Sequence, residues 1–407
     1  MVELNYKAGN DNGNSEHDII LNGHLIKQPN VYKELNQLPY VDNKTPEELI
    51  PNLLENLIVT VQSSEVYGGK SGTFVIGEKA MKEHANPTSM RVRRGKKYRE
   101  LLPIINTLGV IGGQAVIDAY QQKNQIVEDI TVKVDMTTAL PAMQWNPENA
   151  ESFAKRFMDG SHRVTVHLNN TPVHVKVIFE YVYVQAEGVP YVFALQKGIN
   201  GEVRKSDMFS EFAKTYNLHD VDGKWFLKKR VIPLDIGDGT TEAPVLDGFK
   251  FLSSLVDGEK IGPGHAIEEA FGKFKQDNPG LDKISRQDYS RYLKDPSSRY
   301  HDSAVTCMLP FLRSECENVL DFLERQLDAV KNELDVVCVY GGGSILMRKI
   351  VETFYEDIKD MVEDRGIKLF YTPTEYAVTL NAEGLYVFTT SKIFKDLKEH
   401  HDHAVKS

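Results

Sequence analysis

Three short segments of this chain combine glycine with a carboxylate or hydroxyl in patterns suited to phosphate: Asp11-Asn12-Gly13-Asn14-Ser15, Asp235-Ile236-Gly237-Asp238-Gly239-Thr240-Thr241 and Gly341-Gly342-Gly343-Ser344. Without side chains in the way, a glycine backbone bends sharply and brings its N–H groups within reach of phosphate oxygens. Asp11 and Asp235 would repel phosphate, so carboxylates at these positions suit the water shell of a bound Mg²⁺. The third segment lies between an apolar run and a helical pattern, which adds the positive end of a helix dipole. Each segment alone has a plainer reading, since DNG and DG also make ordinary hairpin turns and a glycine triplet also permits tight packing. The three in this order are more specific than any one.

The elements that must position these segments follow from hydrophobic patterning. Leu4–Ile26 predicts a strand, a turn over Gly9–Ser15 and a returning strand, and Val231–Phe251 predicts a second hairpin turning at Gly237–Thr241. Strands are also expected at Thr73–Gly77, Asp129–Met136, Arg163–Leu168, His174–Gln185, Val336–Tyr340 and Ile367–Tyr371. Helices are expected over Tyr98–Lys123, Ala266–Lys275, Pro310–Asn332, about Ile345–Glu363 and near Ala382–Phe388. Pro103 lies near the start of the first, where proline is tolerated. The tail from 395 to 407 is polar and expected to fray, its HHDH cluster solvated. A strand, glycine turn and strand thus occur twice, a repetition that permits two α/β lobes with a cleft.

Composition limits the classes of function. The chain has 407 residues, enough for two large domains or one two-lobed unit, with 41% hydrophobic and 26% charged residues. No run approaches the roughly 18 or more consecutive apolar residues of a membrane span. The opening residues lack the apolar core of a secretion signal, so the cytoplasm is the expected location and no membrane partner is expected. Cys307, Cys316 and Cys338 have no metal-binding spacing and are expected to be reduced. A net charge of −10 disfavours direct DNA binding and leaves any such contact to an adaptor. The basic run Arg91–Arg99 reads as a solvated loop, with a filament contact or adaptor docking as the functional alternatives.

DNGNS, DIGDGTTE and VYGGGSILM resemble the phosphate 1, phosphate 2 and adenosine motifs of the actin superfamily, over most of the chain from Asp11 to about Phe388. The resemblance implies an α/β, two-lobed actin-like fold of two ribonuclease-H-like domains around a nucleotide cleft. It implies residues 1–198 plus 376–407 as one domain, with an insert over about 30–125, and 199–375 as the other. It also implies that Asp11–Ser15 and Gly237–Thr241 grip phosphates from opposite lobes, that Asp11 and Asp235 hold Mg²⁺ through water, and that Gly341–Ser344 line the nucleoside pocket. Val182–Leu195 is similar to the segment of plasmid-segregating ParM-type actins in which a strand ends at a water-orienting glutamate before a helix. Glu187 occupies that position, with Asp235 as the second catalytic carboxylate and Gln185 as a fallback. The plainer reading of Glu187 is an exposed turn residue beside Gly188, and the resemblance favours the catalytic one. Lys260–Glu269 resembles the segment that contacts ribose and base, so Gly262 and Gly264 would allow close approach and Glu268 or Glu269 would accept from ribose hydroxyls.

The first turn departs from conventional actins in lacking a nearby lysine, which throws its phosphate grip onto backbone groups. The function implied is a nucleotide-dependent, filament-forming ATPase that moves plasmid DNA. Its partners would be further copies of itself and a DNA-binding adaptor of ParR type on a centromere-like plasmid site. ATP is the expected nucleotide, with GTP left open. A monomeric sugar or small-acid kinase on the same fold is the alternative, although no catalytic base beside an acceptor pocket is evident.

Overall fold

The opening strand, Val2–Asn12, buries Val2, Leu4, Tyr6 and Ala8 and exposes Glu3, Asn5 and Lys7 in a computed structural model of the chain. This period of two places one face on a core. The structure describes residues 2–39, 43–83, 87–90, 95–160, 162–205, 207–252, 255, 258–281 and 283–406. Arg91 to Arg94 of the basic run lie outside the described residues. Two units separate: Met1–Leu140, Gln144–Gln185 and Leu385–Ser407 form the first, and Pro141–Met143 with Ala186–Gly384 the second.

Among the described residues, ten strands form the sheet of the first unit. Their order is His24–Pro29, Glu16–Leu21, Val2–Asn12, Asp129–Leu140, Thr171–Ala186, His162–Leu168, Ile58–Gln62, Ser71–Ile76, Val31–Leu35 and Thr88–Ser89. Val2–Asn12 runs parallel to Asp129–Leu140 and antiparallel to Glu16–Leu21. The expected turn over Gly9–Ser15 is therefore shorter than its composition suggests. Gly9 and Asn10 stay in the ladder, opposite Ile20 and Ile19 on one side and Thr137 and Thr138 on the other, and Gly13 to Ser15 alone make the turn. Pairing on both edges outweighs the turn preference of Gly and Asn.

The helix Leu102–Lys123 packs on this sheet with Ile104, Ile105, Leu108 and Ile111 fully buried and Pro103 in its first turn. By length and composition it could cross a membrane, but 83% of its apolar window is buried within the fold. The tail corrects an expectation. Rather than fraying, Lys392–Lys406 is helical, and Phe394, Leu397, Lys398 and His401 repeat at helical spacing. Lys398 Nζ donates to Asp135 and to Glu180, each at 2.7 Å, and Tyr181 packs against Phe394 and His401.

In the second unit, Arg230–Ile236, Val336–Tyr340 and Lys368–Tyr371 run parallel, with Asp235 opposite Tyr340. All five residues of Val336–Tyr340 are buried, as expected for a central parallel strand. The long helix starts at His301 and runs through Pro310 to Ala329, rather than starting at the proline. Burial of Ala304, Cys307, Met308 and Leu312 along one face offsets the backbone hydrogen bond that proline removes. The single helix expected over 345–363 is two, Gly342–Ile350 and Phe354–Glu363, broken at Val351, where a β-branched residue takes extended backbone.

Candidate functional site

The first turn is held by a buried amide network. Asn10 Nδ2 and Asn12 Nδ2 both donate to Thr107 Oγ1, at 3.0 and 3.2 Å, and His17 Nε2 lies 2.7 Å from Asn10 Oδ1. Asn12 is only 1% exposed and stays in the ladder opposite His17, so its amide group serves the fold. Asn30 grips the turn from outside, its Nδ2 donating to Gly13 O at 2.6 Å and its N to Ser15 O at 2.8 Å. A trans peptide points its C=O and the following N–H in opposite directions. The amides of Asn14 and Glu16 therefore face away from Asn30. Asp11, Gly13 and Asn14 are half-buried and Ser15 is exposed.

Electrostatics around this turn follow from burial. Desolvation pushes His17 down to about 3, helped by the charge of Lys97, so the imidazole is neutral. Asp18 lies opposite Asp11 in the ladder, and burial pushes its carboxyl up to about 7. Lys27, 3.8 Å away, pulls that value down while the charges of Asp11 and Glu16 push it further up.

Within the second unit the fold brings together segments far apart in sequence. Thr241–Glu242 pairs back on Arg230–Ile236, and Gly237 N donates to Thr240 O at 2.9 Å, closing the second turn. The helix Pro263–Asp277 starts against that turn. Gly264 N donates to Asp238 O at 2.5 Å, His265 Nε2 lies 3.1 Å from Gly239 O, and Thr241 Oγ1 donates to Ile261 O at 3.0 Å. A side chain at Gly262 would place its Cβ 2.7 Å from Asp238 O, so glycine is required by the approach. With the carbonyls of Asp238 and Gly239 turned toward this helix, the amides of Gly239 and Thr240 point away from it.

The glycine triplet closes on the same turn. Gly341 has φ +92°, and a Cβ there would lie 2.5 Å from Ile236 O and 2.6 Å from Asp235 Oδ1. Gly343 packs against the backbone oxygens of Gly237 and Ile236, whereas a Cβ on the exposed Gly342 would meet nothing within 4 Å. Ser344 Oγ donates to Gly341 O at 2.8 Å, which directs that hydroxyl into the turn. Thus 235–241, 262–264 and 341–344 form one glycine-lined cluster. Glu268 and Glu269 sit exposed on the adjoining helix.

Of the two candidate catalytic carboxylates, Asp235 lies in this cluster and Glu187 lies in the turn before the helix Val189–Gln196. Asp235 is 8% exposed, and Asn381 Nδ2 donates to its Oδ2 at 2.7 Å while Asn381 Oδ1 accepts from Tyr340 OH at 3.0 Å. Glu187, partly exposed, follows the strand Thr171–Ala186 and precedes the helix Val189–Gln196. The intervening Gly188, at φ +85°, allows the chain to pass over Pro244, where a Cβ would come within 2.5 Å of the ring. Gln185 is buried in the strand, with its Oε1 lacking a partner among the described residues.

Motif reading missed the residues that hold these turns from distant elements. Asn381 fixes Asp235, Glu315 Oε2 accepts from Gly262 N at 2.9 Å, and Arg286 Nη2 donates to Asp238 Oδ2 at 3.0 Å. Only Arg286 carried a local signal, the Ser285-x-x-Asp288 spacing of a capping box that opens the helix Arg286–Lys294.

No protein-family model and no curated protein sequence matches the chain. Solved structures do. The actin-like protein Alp7A superposes with a TM-score of 0.69 at 16% identity, covering 98% of this chain and all of its own. Ta0583, an archaeal actin homologue, gives 0.58 at 14% identity over 94% of this chain and 98% of its own. Bacillus thuringiensis ParM with ATP gives 0.56 at 18% identity over 96% and 99%. At such identities the agreement is one of architecture, and on that ground this chain has the fold of the actin-like proteins.

Proposed function

We propose that the chain is a nucleotide-dependent, filament-forming ATPase of the cytoplasm that moves or segregates plasmid DNA through an adaptor. The observation that carries this reading is the convergence, inside the second unit, of the hairpin turn 237–241, the helix start at 262–264 and the glycine triplet 341–344 around Asp235. A Bacillus thuringiensis ParM solved with ATP and with ADP shares the architecture, which supports a nucleotide as the ligand.

On this reading the amides of Gly239 and Thr240, with that of Asn14 at the first turn, hold phosphate oxygens through fixed dipoles. Gly341 to Ser344 hold the nucleoside, the open face of Gly342 leaving room for it. Asp11 and Asp235 are the residues that would hold Mg²⁺ through water, and the ion when bound supplies positive charge against the phosphates. Glu187 and Asp235 orient the attacking water, and the Asn381 hydrogen bond fixes the Asp235 carboxylate for that role. The net charge of −10 leaves DNA contact to a ParR-type adaptor bound at a centromere-like site.

Sedimentation and light scattering with ATP, with GTP and without nucleotide test the proposal. Polymer that forms only with a triphosphate and disassembles after its hydrolysis is the expected result. Phosphate transfer to a sugar without assembly would instead establish the kinase alternative, and absence of nucleotide-dependent assembly would remove the filament.

A further inference from the structure

Asp238 presents a physical difficulty for a phosphate-binding turn. It stands between Gly237 and Gly239, where a carboxylate facing the ligand would repel it. The structure turns that carboxylate aside. Its Oδ2 accepts from Arg286 Nη2 at 3.0 Å, and the same guanidinium nitrogen lies 3.4 Å from Gly264 O. Gly264 N in turn donates to Asp238 O at 2.5 Å, so Arg286 joins the turn and the helix start that packs on it. Arg286 is also the first residue of the helix Arg286–Lys294, a place where the helix dipole disfavours a cation. Its pairing with Asp238 offsets that cost. About a quarter of each side chain is exposed, at 27% for Arg286 and 25% for Asp238, so the pair is partly shielded from water.

We infer that Arg286 is a positioning residue of the proposed nucleotide site, which neutralises and turns away the Asp238 carboxylate so that the Gly237–Thr241 turn can accept a polyphosphate. The inference rests on the function proposed above and assigns a role to a residue outside every glycine segment. Arg286 acts through Asp238 and the turn rather than by touching the reacting atoms. Removing the guanidinium frees a carboxylate beside the phosphates. Removing the carboxylate as well takes away the repulsion, so a second substitution should repair the first.

The test measures affinities of the full chain for ATP and adenosine, and in parallel for GTP and guanosine. Arg286→Gln should weaken triphosphate binding about tenfold or more and leave nucleoside binding within about twofold. Asp238→Asn alone should tighten triphosphate binding, because the cation then stands uncompensated. The double variant should return to within about threefold of the unsubstituted chain. A purely structural clamp would fail in both single variants alike and would not be rescued by the second change. Equal losses in Arg286→Gln and Asp238→Asn, or an unrescued double variant, would overturn the inference while leaving the proposed function standing. Failure of the unsubstituted chain to bind any of the four probes would overturn the proposed function and this inference with it.

Discussion

Alanine substitution along the glycine triplet separates fold from site, because its three positions meet different surroundings. Gly341 has φ +92°, and an added Cβ would lie 2.5 Å from Ile236 O, a backbone atom that cannot swing aside. Positive φ costs alanine about 1–3 kcal/mol and overpacking about 1–3 kcal/mol more, so Gly341→Ala should lose roughly 2–6 kcal/mol. That is a large share of the roughly 5–15 kcal/mol that stabilises an ordinary domain. Gly343→Ala carries no positive-φ cost, but its Cβ would meet Gly237 O first and then Ile236 O at 2.7 Å and Ile236 Cγ2 at 2.9 Å, and it should lose about 1–3 kcal/mol. Gly342 is exposed at the first helical position with nothing within 4 Å of its Cβ. Alanine there should leave stability unchanged or raise it by up to about 1 kcal/mol through helix propensity. If the nucleoside lies against Gly342, the same alanine should weaken nucleotide binding about tenfold, or ~1.4 kcal/mol. Denaturant midpoints without nucleotide and calorimetric titration with ATP and GTP give the two readouts. Wild-type midpoints for Gly341→Ala and Gly343→Ala would refute the close approach to Ile236. A Gly342→Ala variant that binds nucleotide as tightly as the parent would remove the triplet from the site.

Three further outcomes are expected. Glu187→Ala should slow phosphate release at least about tenfold with nucleotide affinity largely kept, and unchanged turnover would take Glu187 out of the mechanism. Asn381→Ala removes a donor from the buried Asp235 carboxylate, so kcat should fall about tenfold with KM nearly constant; a change confined to KM would assign Asn381 to binding instead. His17 and His162 are both held neutral by burial, with pKa values below the ordinary imidazole value. Their stabilising effect is complete above about pH 6.5 and is lost as pH falls, because the unfolded chain takes up protons that the folded chain refuses. Below pH 6.5 the first unit should lose stability, with His17 alone accounting for up to about 1.4 kcal/mol per pH unit down to about pH 3. A denaturant midpoint that stays flat from pH 7 to 4, or an equal slope in His17→Gln, would contradict this.

The chain's local chemistry was enough to announce the glycine turns and the longer strands, but not helices such as Pro147–Met158 and Arg286–Lys294. Glycine beside aspartate marks sharp backbone, and the run Val336–Tyr340 followed by Gly341 marks a buried strand entering a helix, because these signals depend on neighbours in sequence. Local signals failed where distant partners decide. Gly9 and Asn10 look like turn residues, yet ladders to Ile20 and Thr137 keep them extended. Pro310 looks like a helix start, yet burial on both sides of it carries the helix through. The polar tail looks frayed, yet Asp135 and Glu180 bind Lys398.

What sequence alone determined is therefore the set of residue types able to bend near phosphate and the period of the elements flanking them. Tertiary structure decided how those residues are used. Asn12 turned inward to Thr107, Ser344 turned back on Gly341, and Asp238 turned aside to Arg286. Only folding could choose Asn381, Glu315 and Arg286 as supports, because a hydrogen bond depends on distance in space, and even the capping box beside Arg286 marks a helix start without naming its partner.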